Sequence, residues 1–199
     1  MNTKITSNVY RIENQYFYGE KVGVYVINLK DKLLLFDIPT FSEEVKKFIL
    51  KFEKPVMAVL SHGPTGISDG TKWQKEVDLK VYLYEADINN SWLKMKPDIL
   101  YNQPPLLDPT IEIILTPGHT PGSISLYDSI SKSMLTGDTI AGKNNDEVKD
   151  FFKEDGLGNL KERFANSQKL LVYDFENILP FHYDMILGKA KQKLVNFTN

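Results

Sequence analysis

The chain has 199 residues with 24 basic and 26 acidic side chains, a formal charge of −2, and a make-up that is 42% hydrophobic and 25% charged. This ordinary, balanced composition excludes a disordered or collagen-like chain, and it excludes a nucleic-acid binder that works by neutralising phosphates. There is no cysteine, so disulfides, thiolate nucleophiles, zinc knuckles and iron–sulfur clusters are excluded together.

Val22–Leu29 and Lys32–Asp37 read as two strands around a polar Lys30-Asp31 turn. Ser42 then suits a helix N-cap, with Glu43 and Glu44 in the first turn and Val45, Phe48, Ile49 and Phe52 forming one apolar stripe. Val56–Leu60 is a continuous apolar run that fits a strand buried on both faces. Ser61–Gly70 is turn-rich, Thr71–Val77 resumes a helix, and Lys80–Tyr84 is strand-like. Prolines 97, 104, 105 and 109 make residues 91–109 read as an irregular connection. Strands are expected at Ile111–Leu115, around Ile124–Tyr127 and at Met134–Leu135, then a helix marked by Leu160, Phe164 and Leu171. Ile178–Pro180 reads as a short strand, and Asp184 as the cap of a last helix carrying Ile186, Ala190 and Leu194. No apolar run approaches the roughly 20 residues of a membrane span, and Met1–Asn8 lacks an apolar leader core. One mixed α/β domain over residues 1–199, cytoplasmic and with neither membrane nor nucleic-acid partner, is the expectation.

Any metal must be held by His, Asp and Glu, and the histidines are three: His62, His119 and His182. Each follows a short apolar run, directly or after a short turn, and Asp138 follows Met134-Leu135 in the same way. Four ligand-type residues at four strand ends can converge on one edge of a sheet, where loops carry function and the scaffold supplies precision.

Thr116-Pro117-Gly118-His119-Thr120-Pro121-Gly122-Ser123, followed by Leu135-Thr136-Gly137-Asp138-Thr139, resembles the central signature of the metallo-β-lactamase superfamily, in the style of its glyoxalase II-like small hydrolases. Leu34-Leu35-Phe36-Asp37 resembles that family's early strand ending in Asp, and Phe181-His182 resembles its last ligand. The resemblance runs from about Val9 to Leu194 and implies a four-layer αββα sandwich. The family writes its first ligand cluster His-x-His-x-Asp-His. Here the matching stretch is His62-Gly63-Pro64-Thr65-Gly66-Ile67, in which Pro64, Gly66 and Ile67 stand at ligand positions and offer no donor atom. The ligand positions that remain are His62, His119, Asp138 and His182.

What the resemblance implies is a hydrolase of a small ester, thioester or lactone using at most one divalent ion, zinc ahead of iron or manganese. Asp138 and His119 are the expected catalytic pair, and the partner is a small-molecule substrate. The alternative is a catalytically inactive member, without metal, that binds a ligand or a protein in the family's cleft. In a third reading His119 and Asp138 merely hydrogen-bond across a turn. Around the site, Asp37 is a candidate support for the His62 loop, Asp69 a candidate replacement for the lost Asp, and Lys143 beside Asn144-Asn145 a candidate contact for a substrate carboxylate. Tyr183 could donate a hydrogen bond into the site, whereas Trp73, Trp92, Tyr82 and Tyr84 read as packing residues.

Overall fold

The computed structural model describes residues 2–144, 146–149 and 158–198. The chain divides into two compact units, Met1–Gln103 and Pro104–Asn199.

The first unit is built on a seven-stranded sheet, in the order β1 (Thr3–Lys4), β2 (Val9–Ile12), β5 (Val24–Asn28), β6 (Leu33–Phe36), β7 (Val56–Val59), β8 (Lys80–Tyr84), β9 (Ile99–Tyr101). β3 (Tyr16–Phe17) and β4 (Glu20–Lys21) form a separate hairpin. β5 and β6 are antiparallel across the Lys30-Asp31 turn, while β6 to β9 run parallel. Parallel neighbours need crossovers, which α1 (Glu43–Leu50) and α2 (Asp69–Val77) supply. All four residues of β6 are buried, as expected of a strand covered on both faces. Ser42 Oγ accepts the Val45 N–H at the start of α1, which buries Val45 and Ile49. Phe48 and Phe52 meet the Tyr10 ring edge-on. α2 starts at Asp69, two residues earlier than its sequence pattern suggests, and buries Trp73, whose Nε1 donates to Pro39 O. The proline-rich stretch read as irregular contains β9. Three residues carry no periodicity, and this strand is placed by pairing with β8 and by Asp98 Oδ2 accepting the Val81 N–H.

The second unit holds a five-stranded sheet, β10 (Ile111–Leu115), β11 (Ile124–Asp128), β12 (Ser133–Gly137), β15 (Asn177–Pro180) and β16 (Ile186–Leu187), with a small hairpin of β13 (Gly142–Lys143) and β14 (Glu147–Val148). β12 and β15 are parallel and the other pairs antiparallel. β10, β12 and β15 therefore point the same way, and whatever follows their last residues lies on one edge of the sheet. Helices α3 (Leu160–Lys169) and α4 (Ala190–Thr198) complete the unit.

The helix marked by Leu160 and Phe164 is α3, although both are half-buried and the residues it buries are Arg163 and Ser167, continued by Leu170. One expectation fails here. Asp184 caps no helix. It bridges Gly142, Ile186 lies on β16, and α4 begins at Ala190 after a turn in which Gly188 and Lys189 both have positive φ. The fourth-residue spacing misled because Ile186, Ala190 and Leu194 do share one core cluster with Ile114, Met134 and Phe175, reached from two different elements. Among the described residues no helix is long and apolar enough to cross a membrane.

Candidate metal centre

His119 lies in the loop from β10 to β11, Asp138 just after β12, and His182 just after β15, all on the common edge of the second sheet. The His119 loop is closed by its own residues: Thr116 N–H donates to Ser123 O at 2.9 Å and Thr120 N–H to Ser123 Oγ at 2.9 Å. Gly118 has a φ of +136°, which only glycine adopts without strain. Beneath the loop, Thr139 Oγ1 donates to Thr116 Oγ1 at 2.9 Å, which in turn bonds Ser125 Oγ at 3.1 Å, tying the His119 and Asp138 loops together through buried hydroxyls. Phe181 N–H donates to Gly137 O at 2.8 Å, which sets His182 beside Asp138.

Asp138, 4% exposed, is the hub. His182 Nδ1 lies 3.0 Å from its Oδ1 and 2.9 Å from its Oδ2, and the His182 backbone N–H donates to Oδ1 at 3.2 Å. His119 Nε2 sits 3.5 Å from Oδ2. That distance is long for an N–H···O hydrogen bond. It matches the spacing of two ligands on one tetrahedral ion, about 3.3 Å when metal–ligand bonds are about 2.0–2.1 Å. Imidazole and carboxylate are also donor types that zinc, iron and manganese accept, so His119 and Asp138 fit a divalent metal, while His182 Nδ1 lies at hydrogen-bond distance from the carboxylate. A cleft of about 440 Å³ opens beside His119, lined also by Thr120, Asn159 and Glu162.

In the first unit His62 follows β7 and is 2% exposed, with its Nδ1 fixed by a 2.8 Å hydrogen bond to Ser61 Oγ. Asp37, at the end of the parallel neighbour β6, is fully buried at a φ of +72°. Its Oδ1 accepts from Ser61 N–H and from Thr65 Oγ1, both at 2.6 Å. Asp87 Oδ2 accepts the Gly63 N–H at 2.6 Å. His62 thus heads a single 3₁₀ turn, Gly63–Thr65, held by two buried carboxylates. The turn is packed tight: a Cβ on Gly66 would lie 2.3 Å from Leu93 Cδ1, and one on Gly63 would lie 2.7 Å from Asn90 Cβ.

The remaining candidates are spread more widely. Asp69 is engaged in structure, its Oδ2 accepting the Phe41 N–H at 2.8 Å at the start of α2. Lys143 and Asn144 are exposed, and Asn145 lies outside the described residues. Tyr183 is 42% exposed with its ring under Lys149 Nζ. Tyr84 stacks obliquely on Tyr101 and Tyr82 is half-buried, but Trp92 is 48% exposed and only edges onto Tyr18. Sequence reasoning missed Ser61, Asp87 and Arg163, which position loops rather than form motifs. For Arg163 one signal was available: the chain has 22 lysines and two arginines, so an arginine on a helix is itself unusual.

Residues 101–190 match the family model described as the metallo-beta-lactamase superfamily. A curated relative, the probable metallo-hydrolase YybB of Bacillus subtilis (strain 168), is 21% identical over 162 residues, covering 72% of this chain and 74% of that one. Among solved structures, the DIM-1 metallo-beta-lactamase has a TM-score of 0.78 at 17% identity and covers all of this chain and 96% of its own. The metallo-beta-lactamase from Pontibacter korlensis has a TM-score of 0.77 at 18% identity with the same coverage. These likenesses carry the fold, a mixed α/β architecture with several sheets. The signature loops, the family model over residues 101–190 and the fold all point to the same likeness, to the metallo-β-lactamase superfamily.

Proposed function

We propose that the protein is a metal-dependent hydrolase that works with a single divalent ion, zinc ahead of iron or manganese, on a small ester, thioester or lactone. The observation that carries this reading is the convergence of two imidazole nitrogens on one buried carboxylate, His182 Nδ1 at 2.9 Å and His119 Nε2 at 3.5 Å from Asp138 Oδ2. His62, in the first unit, matches the family's first His in sequence. The name of the Bacillus subtilis relative, a probable metallo-hydrolase, supports the same class of activity. One ion rather than two is proposed because Pro64, Gly66 and Ile67 remove donors from both of the family's sites, so that two full sites are lacking.

A divalent ion bound there supplies a Lewis acid for a carbonyl and makes water a nucleophile near neutral pH. The chain does the rest. The Asp138 carboxylate would take the proton given up by the attacking water at the oxygen not given to the ion, and the His182 contact holds that carboxylate in one orientation. The cleft beside His119, about 440 Å³, has room for a small acyl substrate.

The test is metal content by mass spectrometry after purification and after reconstitution, with hydrolysis of a p-nitrophenyl ester, a thioester and a γ-lactone. One equivalent of metal and turnover that disappears in His119→Ala and Asp138→Ala are expected. Wild-type protein that holds no stoichiometric metal after reconstitution overturns the reading. The packed Gly63–Thr65 turn favours a second reading, an inactive member that binds a ligand or protein, and that outcome would select it.

A further inference from the structure

We propose that Arg163 is the positioning residue of the candidate metal centre, holding the His119 loop and the Asp138 loop at a set spacing through one buried guanidinium. The inference rests on the metal-centre reading above. It begins with α3, which lies along the segment leading to His119. Asn159 N–H donates to Gly118 O at 2.6 Å, Asn166 Nδ2 to Pro117 O at 2.7 Å, and Lys169 Nζ to Leu115 O at 3.0 Å. At Gly118 a Cβ would lie 2.6, 2.7 and 2.8 Å from the N, Cα and Cβ of Arg163. The backbone of residue 163 therefore touches the residue that precedes His119. The side chain of the same residue reaches the other loop, where its Nε–H donates to the backbone carbonyl of Asp138 at 2.9 Å.

Arg163 is fully buried, and taking a guanidinium out of water is costly unless polar groups receive it. A packing role would be met by leucine or methionine without that cost. Lysine, which this chain uses 22 times, has no donor at the Nε position and no planar fork to fix an angle. The choice of arginine is explained by the carbonyl it holds, which belongs to the residue whose carboxylate faces His119 Nε2 at 3.5 Å. A metal site tolerates deviations of only about 0.2 Å in its bond lengths. A shift of either loop would break that spacing.

Arg163→Met removes the guanidinium and keeps the stem; Arg163→Lys keeps the charge and removes the Nε–H. Leu170→Ala, in the apolar cluster just past α3, controls for general loss of stability. With three histidines in the chain, long-range ¹H–¹⁵N spectra of metal-free protein can follow the His119 and His182 rings individually. Both arginine variants are expected to move those ring signals, to weaken Co²⁺ binding by about 10- to 100-fold, and to change the visible absorption of bound Co²⁺. Leu170→Ala is expected to lower the Tm while leaving ring signals and Co²⁺ absorption as in wild type. Arginine variants that fold and keep wild-type ring signals overturn the proposal, as does Leu170→Ala producing the same shifts. If Arg163→Met fails to fold, Arg163→Lys decides alone on the same two outcomes. Wild-type protein that takes up no Co²⁺ removes the metal reading, and the metal-free ring signals still decide the role of Arg163.

Discussion

His182 is bonded to Asp138 twice over, through its backbone N–H and through a ring nitrogen that faces both carboxylate oxygens at 3.0 and 2.9 Å. A hydrogen bond to a charged group contributes about 1.5–3 kcal/mol, so His182→Ala should destabilise metal-free protein by that order in urea unfolding. The same change should weaken Zn²⁺ binding by about 100-fold or more, beyond the usual effect of an outer-shell partner, in competition with a chromophoric chelator. Because a metal must displace the proton from each imidazole nitrogen it uses, affinity should fall as pH is lowered. Unchanged affinity in His182→Ala would remove this residue from the ligand set.

Restoring the family's lost carboxylate should not restore a second metal. A Cβ at Gly66 would lie 2.3 Å from Leu93 Cδ1 and 3.0 Å from Leu60 Cδ1, so Gly66→Asp must displace packed side chains. Overpacking costs about 1–3 kcal/mol. The expected result is a lower Tm with metal stoichiometry unchanged, and recovery of part of the Tm in Gly66→Asp with Leu93→Ala. A second equivalent of metal in the single variant would contradict this.

Gly118→Ala should be among the most damaging small substitutions in the second unit. Its φ of +136° is outside the range of alanine, and the added methyl would meet the backbone of Arg163 at 2.6 Å. Backbone cannot swing aside as a side chain can. A loss of about 2 kcal/mol or more is expected from strain and overpacking together, read by urea unfolding, with Co²⁺ binding weakened in whatever protein remains folded.

Asp37 should respond differently to its two simplest replacements. Its Oδ1 serves both Ser61 N–H and Thr65 Oγ1, and leaving a buried donor unsatisfied costs about 1–3 kcal/mol. Its φ of +72° adds a preference for Asp, Asn or Gly. Asp37→Ala should therefore lose more stability than Asp37→Asn. Equal losses in thermal unfolding would show that an acceptor oxygen at this position is not by itself what holds the His62 turn.

Stability should decline at alkaline pH through Tyr25. Burial is the main cause that pushes this phenol well above the ordinary tyrosine value of about 10, with nearby Arg11 opposing it. In the unfolded chain the phenol ionises near that value, whereas in the folded chain it stays protonated. The stabilisation it provides is thus intact below about pH 10 and is lost as pH rises from there toward the higher folded-state value. Tyr25→Phe should lose less stability than wild type between pH 9 and 11, followed by unfolding together with tyrosinate absorption. A steeper loss in Tyr25→Phe would reverse the assignment.

Much of this was legible in the chain itself, because local chemistry specified it. Largely apolar runs marked β6, β7 and β10, Met134-Leu135 marked β12, and Ser42 with two glutamates marked the start of α1. The Pro117–Ser123 loop and the Gly137-Asp138 turn carried the resemblance, and Gly118 and Gly137 within them have the positive φ that favours glycine. The absence of cysteine and the three histidines bounded the metal chemistry before any fold was known. Tertiary structure decided what depends on distance. β9 exists because β8 offers it an edge, and Ile186 belongs to a strand although its spacing suits a helix. The buried face of α3 carries Arg163 and Ser167 rather than Leu160 and Phe164, which no hydrophobic periodicity could show. A polar side chain is buried when a particular carbonyl, 25 residues away in sequence, waits to receive it, and that partner is named only once the chain has folded.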